Sequence, residues 1–189
     1  MDKANENNAV CGHCLKTSAC VDYTLCLYHY KAPLDYLIAT LKYKQQLSYA
    51  AILGELLLGR LQQQEIENLP DCIIPVPLHK NRLVKRGFNQ SLEIARSVSK
   101  KLNIPIDVKS VRRKRQTLAQ TDLNASQRKK NVRGCFEIQS KKPVDYRHVV
   151  IVDDVVTTGS TINELAEQLK RSGVQKVGVW SIARAVLGH

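Results

Sequence analysis

Residues 149–161, VVIVDDVVTTGST, restrict what this chain can fold into more than any other segment. Four apolar residues in succession, Val149, Val150, Ile151 and Val152, suit a strand buried on both faces, as in a parallel sheet covered by helices. Asp153 and Asp154 follow at the expected carboxyl end of that strand, the edge at which open α/β sheets bind their ligands. Thr157, Thr158, Gly159, Ser160 and Thr161 then form a small-residue turn into a helix, whose inner face is marked by Ile162, Leu165, Ala166 and Leu169. At such a helix start the free amides converge, the helix dipole adds positive charge and the hydroxyls add donors, which makes a phosphate cradle. Gly159 permits a positive φ or a close backbone approach.

Two carboxylates beside a phosphate cradle are poorly placed for a wholly anionic ligand. They suit a sugar diol, since carboxylates accept hydrogen bonds from both hydroxyls and can hold magnesium through water. The combination therefore reads as a site for a 5-phosphorylated ribose. The plainer alternative is a capped turn with two surface aspartates.

Around this segment the chain alternates strands and helices. CIIPVP (72–77) reads as a buried strand ended by prolines, and Phe88, Leu92, Ala95, Ser99 and Leu102 mark one side of a helix. Further strands are expected at 104–111, 134–138, 148–154 and 174–184, with a helix over 161–172. That pattern implies an α/β fold with a parallel sheet flanked by helices. Before it, Leu34, Leu37, Ile38 and Leu41, then Ile52, Leu53, Leu56 and Leu57, recur at helical spacing, with a basic break at Lys42, Tyr43 and Lys44. Three units are expected: a small cysteine-bearing module over 1–31, a helical connector over 32–70 and the α/β domain over 71–189.

The formal charge of +12 is concentrated, because residues 71–150 hold 19 Lys/Arg against 6 Asp/Glu while the rest hold 10 against 11. A local excess suits either a solvated basic face or a polyanion partner. Much of it lies in residues 112–130, RRKRQTLAQTDLNASQRKK, which has no sustained apolar face and reads as a mobile lid. No segment approaches the ~20 apolar residues that span a bilayer, and the opening MDKANENNAV lacks the regions of a secretory signal, so a cytosolic protein is expected.

Cys11 and Cys14 form a C-x-x-C pair, and Cys26 with His29 repeats the gap. Four such donors suit tetrahedral zinc, with Cys20 or His13 as substitutes for one ligand. Free thiols or a redox pair are the alternatives. Cys72 and Cys135 fall in expected strands and read as buried small hydrophobes.

VVIVDDVVTTGST resembles the phosphoribosyl pyrophosphate motif of type I phosphoribosyltransferases. More narrowly, PVPLHKNRLVKRGFNQ (75–90), RQTLAQTDLNASQRKKNVRGCF (115–136) and the N-terminal cysteines resemble the ComF/GntX family, over nearly the whole chain. The resemblance implies a type I phosphoribosyltransferase-like fold carrying an N-terminal zinc-binding module. It implies that Asp153 and Asp154, the candidate catalytic pair, hold the ribose hydroxyls, and that Thr157, Thr158, Gly159, Ser160 and Thr161 hold the 5-phosphate. Arg82, Lys85 and Arg86 would lie on the pyrophosphate loop, and residues 112–130 would close over the diphosphate. In the family the second metal-binding pair is C-x-x-C, so His29 stands where a cysteine is usual.

The resemblance also implies a part in natural transformation, handling incoming single-stranded DNA at the cytoplasmic side of the inner membrane beside other competence proteins. Lys42, Lys44, Arg112, Arg113, Lys114 and Arg115 are the candidate DNA contacts, and tyrosines such as Tyr36 and Tyr43 either stack bases or pack helices. Two functions remain open at this point. One is a protein that binds phosphoribosyl pyrophosphate and single-stranded DNA. The other is an active phosphoribosyltransferase with an unknown acceptor, although no general base is evident in the sequence.

Overall fold

In the computed structural model, which describes residues 20–64, 69–116, 131–139 and 145–185, the run of apolar residues around Val150 lies in the interior of a four-stranded sheet. The strands are β1 (Tyr23–His29), β2 (Cys72–Pro75), β5 (His148–Val156) and β6 (Lys176–Arg184), in the order β1-β6-β5-β2 and all parallel. A second, antiparallel sheet pairs β3 (Val111–Arg113) with β4 (Phe136–Ile138). Five helices are described: α1 (Leu34–Lys44), α2 (Ser48–Gln63), α3 (Lys80–Arg86), α4 (Gln90–Leu102) and α5 (Ser160–Arg171).

Strand alternation divides the apolar residues between two cores. Val150 and Val152 face α1, α2 and α4, packing with Leu34, Ile38, Leu41, Leu53, Ile94 and Trp180. Val149 and Ile151 face the other way, toward Ile162, Leu165 and Leu169 of α5 and Phe136 of β4. Every residue of Val149 to Val152 has no exposed surface, which is why both faces of this strand are apolar. At Gly54, where α2 crosses α4, an added Cβ would lie 2.7 Å from Cβ of Ser97 and 2.9 Å from the Ile94 carbonyl oxygen. Only glycine lets those helices approach so closely.

The expected α/β fold, with a parallel sheet between helices, is present. Its details differ from the sequence expectation in five places. Lys42, Tyr43 and Lys44, expected as a basic break between two helices, are the last turn of α1, and the break follows at Gln45, which has φ 57°. Residues 23–29, assigned to a separate N-terminal module, form β1 and pair with β6, so that α1 and α2 cover the same sheet instead of connecting two units. The strand expected over 104–111 shrinks to a single bridge from Ile106 to Ile73, with β3 beginning at Val111. Asp107 breaks it, because its side chain accepts hydrogen bonds from the amides of Lys109 and Ser110 and turns the chain. The inner face of α4 is Gln90, Ser91, Ile94, Ala95 and Val98, rotated from the face expected through Leu92 and Ser99. Residues 112 and 113, expected to open a mobile lid, are strand residues of β3.

Candidate phosphoribose site

The parallel strands end together at one edge, where β5 contributes Asp153 and Asp154. β5 continues through Val156, paired there with Arg184, so both aspartates lie inside a strand and are buried. Two buried carboxylates need partners. Asp153 Oδ1 accepts hydrogen bonds from Ser91 Oγ at 3.0 Å and from the Asp154 amide at 3.0 Å. Asp154 Oδ1 receives Gln90 Nε2 at 3.4 Å, and its Oδ2 is ion-paired with Lys42 of α1. Gln90 in turn accepts from Arg86 Nη1, which links α3 to the pair.

These partners are delivered by the start of α4. Asn89 caps that helix, accepting from the Ser91 amide at 3.0 Å, and its Nδ2 donates to the Val76 carbonyl at 3.0 Å, tying the helix start to the chain just past β2. Gln90 closes the 75–90 motif, whereas Ser91 lies just beyond it and no role for either follows from the sequence. Their only local signal is that two polar residues fall on the buried face of a helix.

The electrostatics of the two aspartates diverge. Burial and the neighbouring charge of Asp154 push the Asp153 carboxyl well above the ordinary range. Burial acts most strongly on Asp154 too, but the Lys42 ammonium and the hydrogen bonds with Lys42, Asp153 and Gln90 together hold Asp154 below the ordinary range. The two carboxyls therefore titrate as a coupled pair in which Asp153 is the more readily protonated.

Past β5 the chain turns through Thr157, Thr158 and Gly159 into α5. Gly159 has φ 74° and caps the helix, with its carbonyl accepting from the Asn163 amide at 2.8 Å. Thr158 Oγ1 and Ser160 Oγ lie 2.8 Å apart. Thr157, Thr158, Gly159, Ser160 and Thr161 are all partly exposed at the start of a twelve-residue helix, the arrangement expected of a phosphate cradle.

Arg82, Lys85 and Arg86 lie on a short helix, α3, and not on a loop. Helical spacing puts Arg82 and Arg86 on one face, both half-buried, while Lys85 is exposed. Arg86 feels the charge of Asp154 and stands 5.9 Å from the ring of Tyr43. Arg113, expected as a DNA contact in the lid, is instead 8% exposed and lies 5.5 Å from the ring of Phe136. Burial depresses its pKa, with smaller influences from Cys135, Arg82 and Asp153, and its backbone bridges to His79, just past β2.

The other candidate DNA contacts separate. Arg112 is ion-paired at 2.6 Å with Glu137, its register partner across β3 and β4. Arg115 donates to the carbonyls of Asn131 and Arg133, closing the base of the excursion, whose residues 117–130 lie outside those described. Lys114 is exposed, and Lys44 is exposed beside the ring of Tyr36 at 5.7 Å. Lys42 is committed to Asp154.

Cys11, Cys14 and His13 also lie outside the described residues. Cys26 and His29 do not converge as a ligand pair, because three steps along an extended strand reverse the side-chain direction. Cys26 packs with Cys20 against the core under α5, and burial pushes its thiol up to about 11. Among the described residues no group of three or more His, Cys, Asp or Glu side chains is gathered to hold a metal. Cys72 and Cys135 are buried in the core, as expected of small hydrophobes.

The phosphoribosyl transferase domain family matches residues 88–185, from the lead-in to α4 through the end of β6. Competence protein F of Haemophilus influenzae is 37% identical over 179 residues, covering 93% of this chain and 78% of that protein. The DNA utilization protein YhgH of Escherichia coli K12 is 38% identical over 186 residues, covering 97% of this chain and 81% of that protein. Among solved structures, the B. subtilis glutamine phosphoribosylpyrophosphate amidotransferase complexed with ADP and GMP aligns at TM-score 0.45 and 21% identity, over 70% of this chain and 26% of that one. With the sheet, the acid pair and the glycine-capped helix in place, the chain belongs to the ComF/GntX family of phosphoribosyltransferase-domain proteins.

Proposed function

We propose that this protein binds phosphoribosyl pyrophosphate at the Asp153–Thr161 edge, binds single-stranded DNA on an adjoining surface, and acts in natural transformation. The observation that carries the reading is the convergence, on one sheet edge, of a buried acid pair, a glycine-capped helix start and the half-buried Arg82 and Arg86. The aspartates suit the ribose diol, the cradle suits the 5-phosphate, and Arg82, Arg86 and Arg113 suit the diphosphate. The printed names of the relatives, competence protein F and DNA utilization protein, support the DNA role.

The test is calorimetric titration of phosphoribosyl pyrophosphate into wild type and the Asp153→Ala/Asp154→Ala double variant. Saturable binding by wild type and its loss in the variant support the reading; equal binding by both would place the ligand elsewhere. An active phosphoribosyltransferase remains the second reading, supported by the family match, and release of pyrophosphate in the presence of an acceptor distinguishes it.

Magnesium fits this site best on the diphosphate oxygens of the ligand, because Asp154 already carries an ammonium partner. Zinc fits a set of Cys11, Cys14, Cys20 and Cys26, since Cys20 and Cys26 pack on the same side of the sheet and His29 faces the other. Metal analysis of Cys20→Ser and His29→Ala decides: zinc lost from the first and kept by the second supports this set. Among the described residues no helix is long and apolar enough to cross a membrane.

A further inference from the structure

Lys42 lies on the stripe of α1 that begins with Leu34, Ile38 and Leu41, all of which are buried in the core. Being four residues after Ile38, it is directed inward by the helix itself. A lysine on a buried stripe needs an anionic partner. It finds Asp154, with side-chain exposures of 21% for Lys42 and 4% for Asp154. The charge of Asp153 and the phenol of Tyr30 also act on it. The burial of α1 fixes the ammonium as part of the sheet edge, not as a passing surface contact.

Other cations surround the same acids. Arg86 reaches Asp154 through Gln90, and Arg113 feels Asp153. A divalent ion bound directly by these carboxylates would have to displace Lys42 and approach two guanidinium groups. Magnesium also demands near-octahedral oxygen ligands, which a carboxylate already engaged by an ammonium does not offer.

We propose that Lys42 is the resident cation of the phosphoribose site: held on Asp154, its ammonium supplies the charge balance that a divalent ion on the acid pair would otherwise supply, so the sugar is gripped without metal on Asp153 and Asp154. This rests on the phosphoribose reading above. Lys42 acts through Asp154 as a positioning residue, keeping that carboxylate ionised and oriented as an acceptor for the diol.

The test uses ribose 5-phosphate, which carries the diol and the phosphate but lacks the diphosphate that brings magnesium with it. Its affinity is measured by calorimetry on the full chain, in EDTA and in excess magnesium. Wild type is expected to bind with less than about a threefold difference between the two conditions, and Lys42→Met to lose about tenfold or more in EDTA with recovery in magnesium. Lys42→Arg, which keeps the charge, is expected to remain independent of magnesium. A wild type that binds only with magnesium overturns the proposal, whether or not Lys42→Met folds. So does a folded Lys42→Met that binds like wild type in EDTA. Failure of wild type to bind in either condition removes the phosphoribose reading itself, and the proposal with it.

Discussion

Ser91, at the start of α4, donates its hydroxyl to Asp153 Oδ1 on β5 at 3.0 Å, and Ser91 has no exposed surface. This bond joins the helix to the strand that carries the acid pair, and no water can replace it without a cavity. Ser91→Ala should therefore lower stability by about 1–2 kcal/mol. It should also weaken phosphoribosyl pyrophosphate binding, because Asp153 loses the donor that orients it. Urea denaturation with an unchanged midpoint would show that the bond contributes nothing.

Asp153 supplies a pH dependence with a definite sign. Its folded-state pKa lies above the ordinary value, so as pH rises past the ordinary carboxylate range the unfolded chain releases a proton that the folded chain keeps. Its contribution is fully present below that range and is lost as pH rises toward the folded value. The slope cannot exceed about 1.4 kcal/mol per pH unit for one proton. Asp154 has the opposite sign, its contribution being present above the ordinary range and lost in stronger acid. Asp153→Asn, which mimics the protonated side chain, should remove the decline between mildly acidic and neutral pH. Denaturant midpoints measured across that range check it, and parallel curves for variant and wild type would contradict the assignment of the proton.

Arg113 and its neighbour Arg112 should respond oppositely to substitution. Arg113 is buried beside Phe136, with its backbone bridged to His79 just past β2, whereas Arg112 makes an exposed cross-strand pair with Glu137. Exposed pairs contribute about 0–1 kcal/mol. Arg113→Met, which keeps much of the side-chain volume, should cost about tenfold or more in phosphoribosyl pyrophosphate affinity, and Arg112→Met less than about twofold. Equal losses from both would argue for a general electrostatic effect of the basic region.

This contrast also marks how far the sequence alone was legible. The double-sided strand, the glycine-capped helix and the presence of two N-terminal helices follow from local patterns, which is why Val149 to Val152 and Gly159 lie where expected, whereas the break expected at Lys42, Tyr43 and Lys44 falls beyond them because α1 runs through Lys44. Arg112 and Arg113 are chemically identical neighbours, and only the β3–β4 register separates the exposed one from the buried one. Lys42 likewise reads as part of a basic break until α1 is packed and its inward stripe meets Asp154. Residues 23–29 give no strand periodicity that stands out from the polar N-terminal segment, and nothing local specifies β6 as their partner. Non-local pairing sets each of these outcomes.

The exposed aromatics on α1 lead to the last prediction. Tyr43 is 77% exposed and Tyr36 58%, with Arg86 and Lys44 against their respective rings. Two rings on one helix, each paired with a cation, form a surface suited to stacking bases while the cations face the backbone, and Arg86 connects that surface to the acid pair through Gln90. Tyr43→Ala should cost about 1–3 kcal/mol in single-stranded DNA binding without changing its salt dependence, since it removes a stack and no charge. Lys44→Ala should instead lower the salt slope by about one counterion. Fluorescence anisotropy with a labelled oligonucleotide at several salt concentrations separates the two. If Tyr43→Ala binds as wild type does, α1 is not the stacking surface, and the tyrosines there serve some other contact.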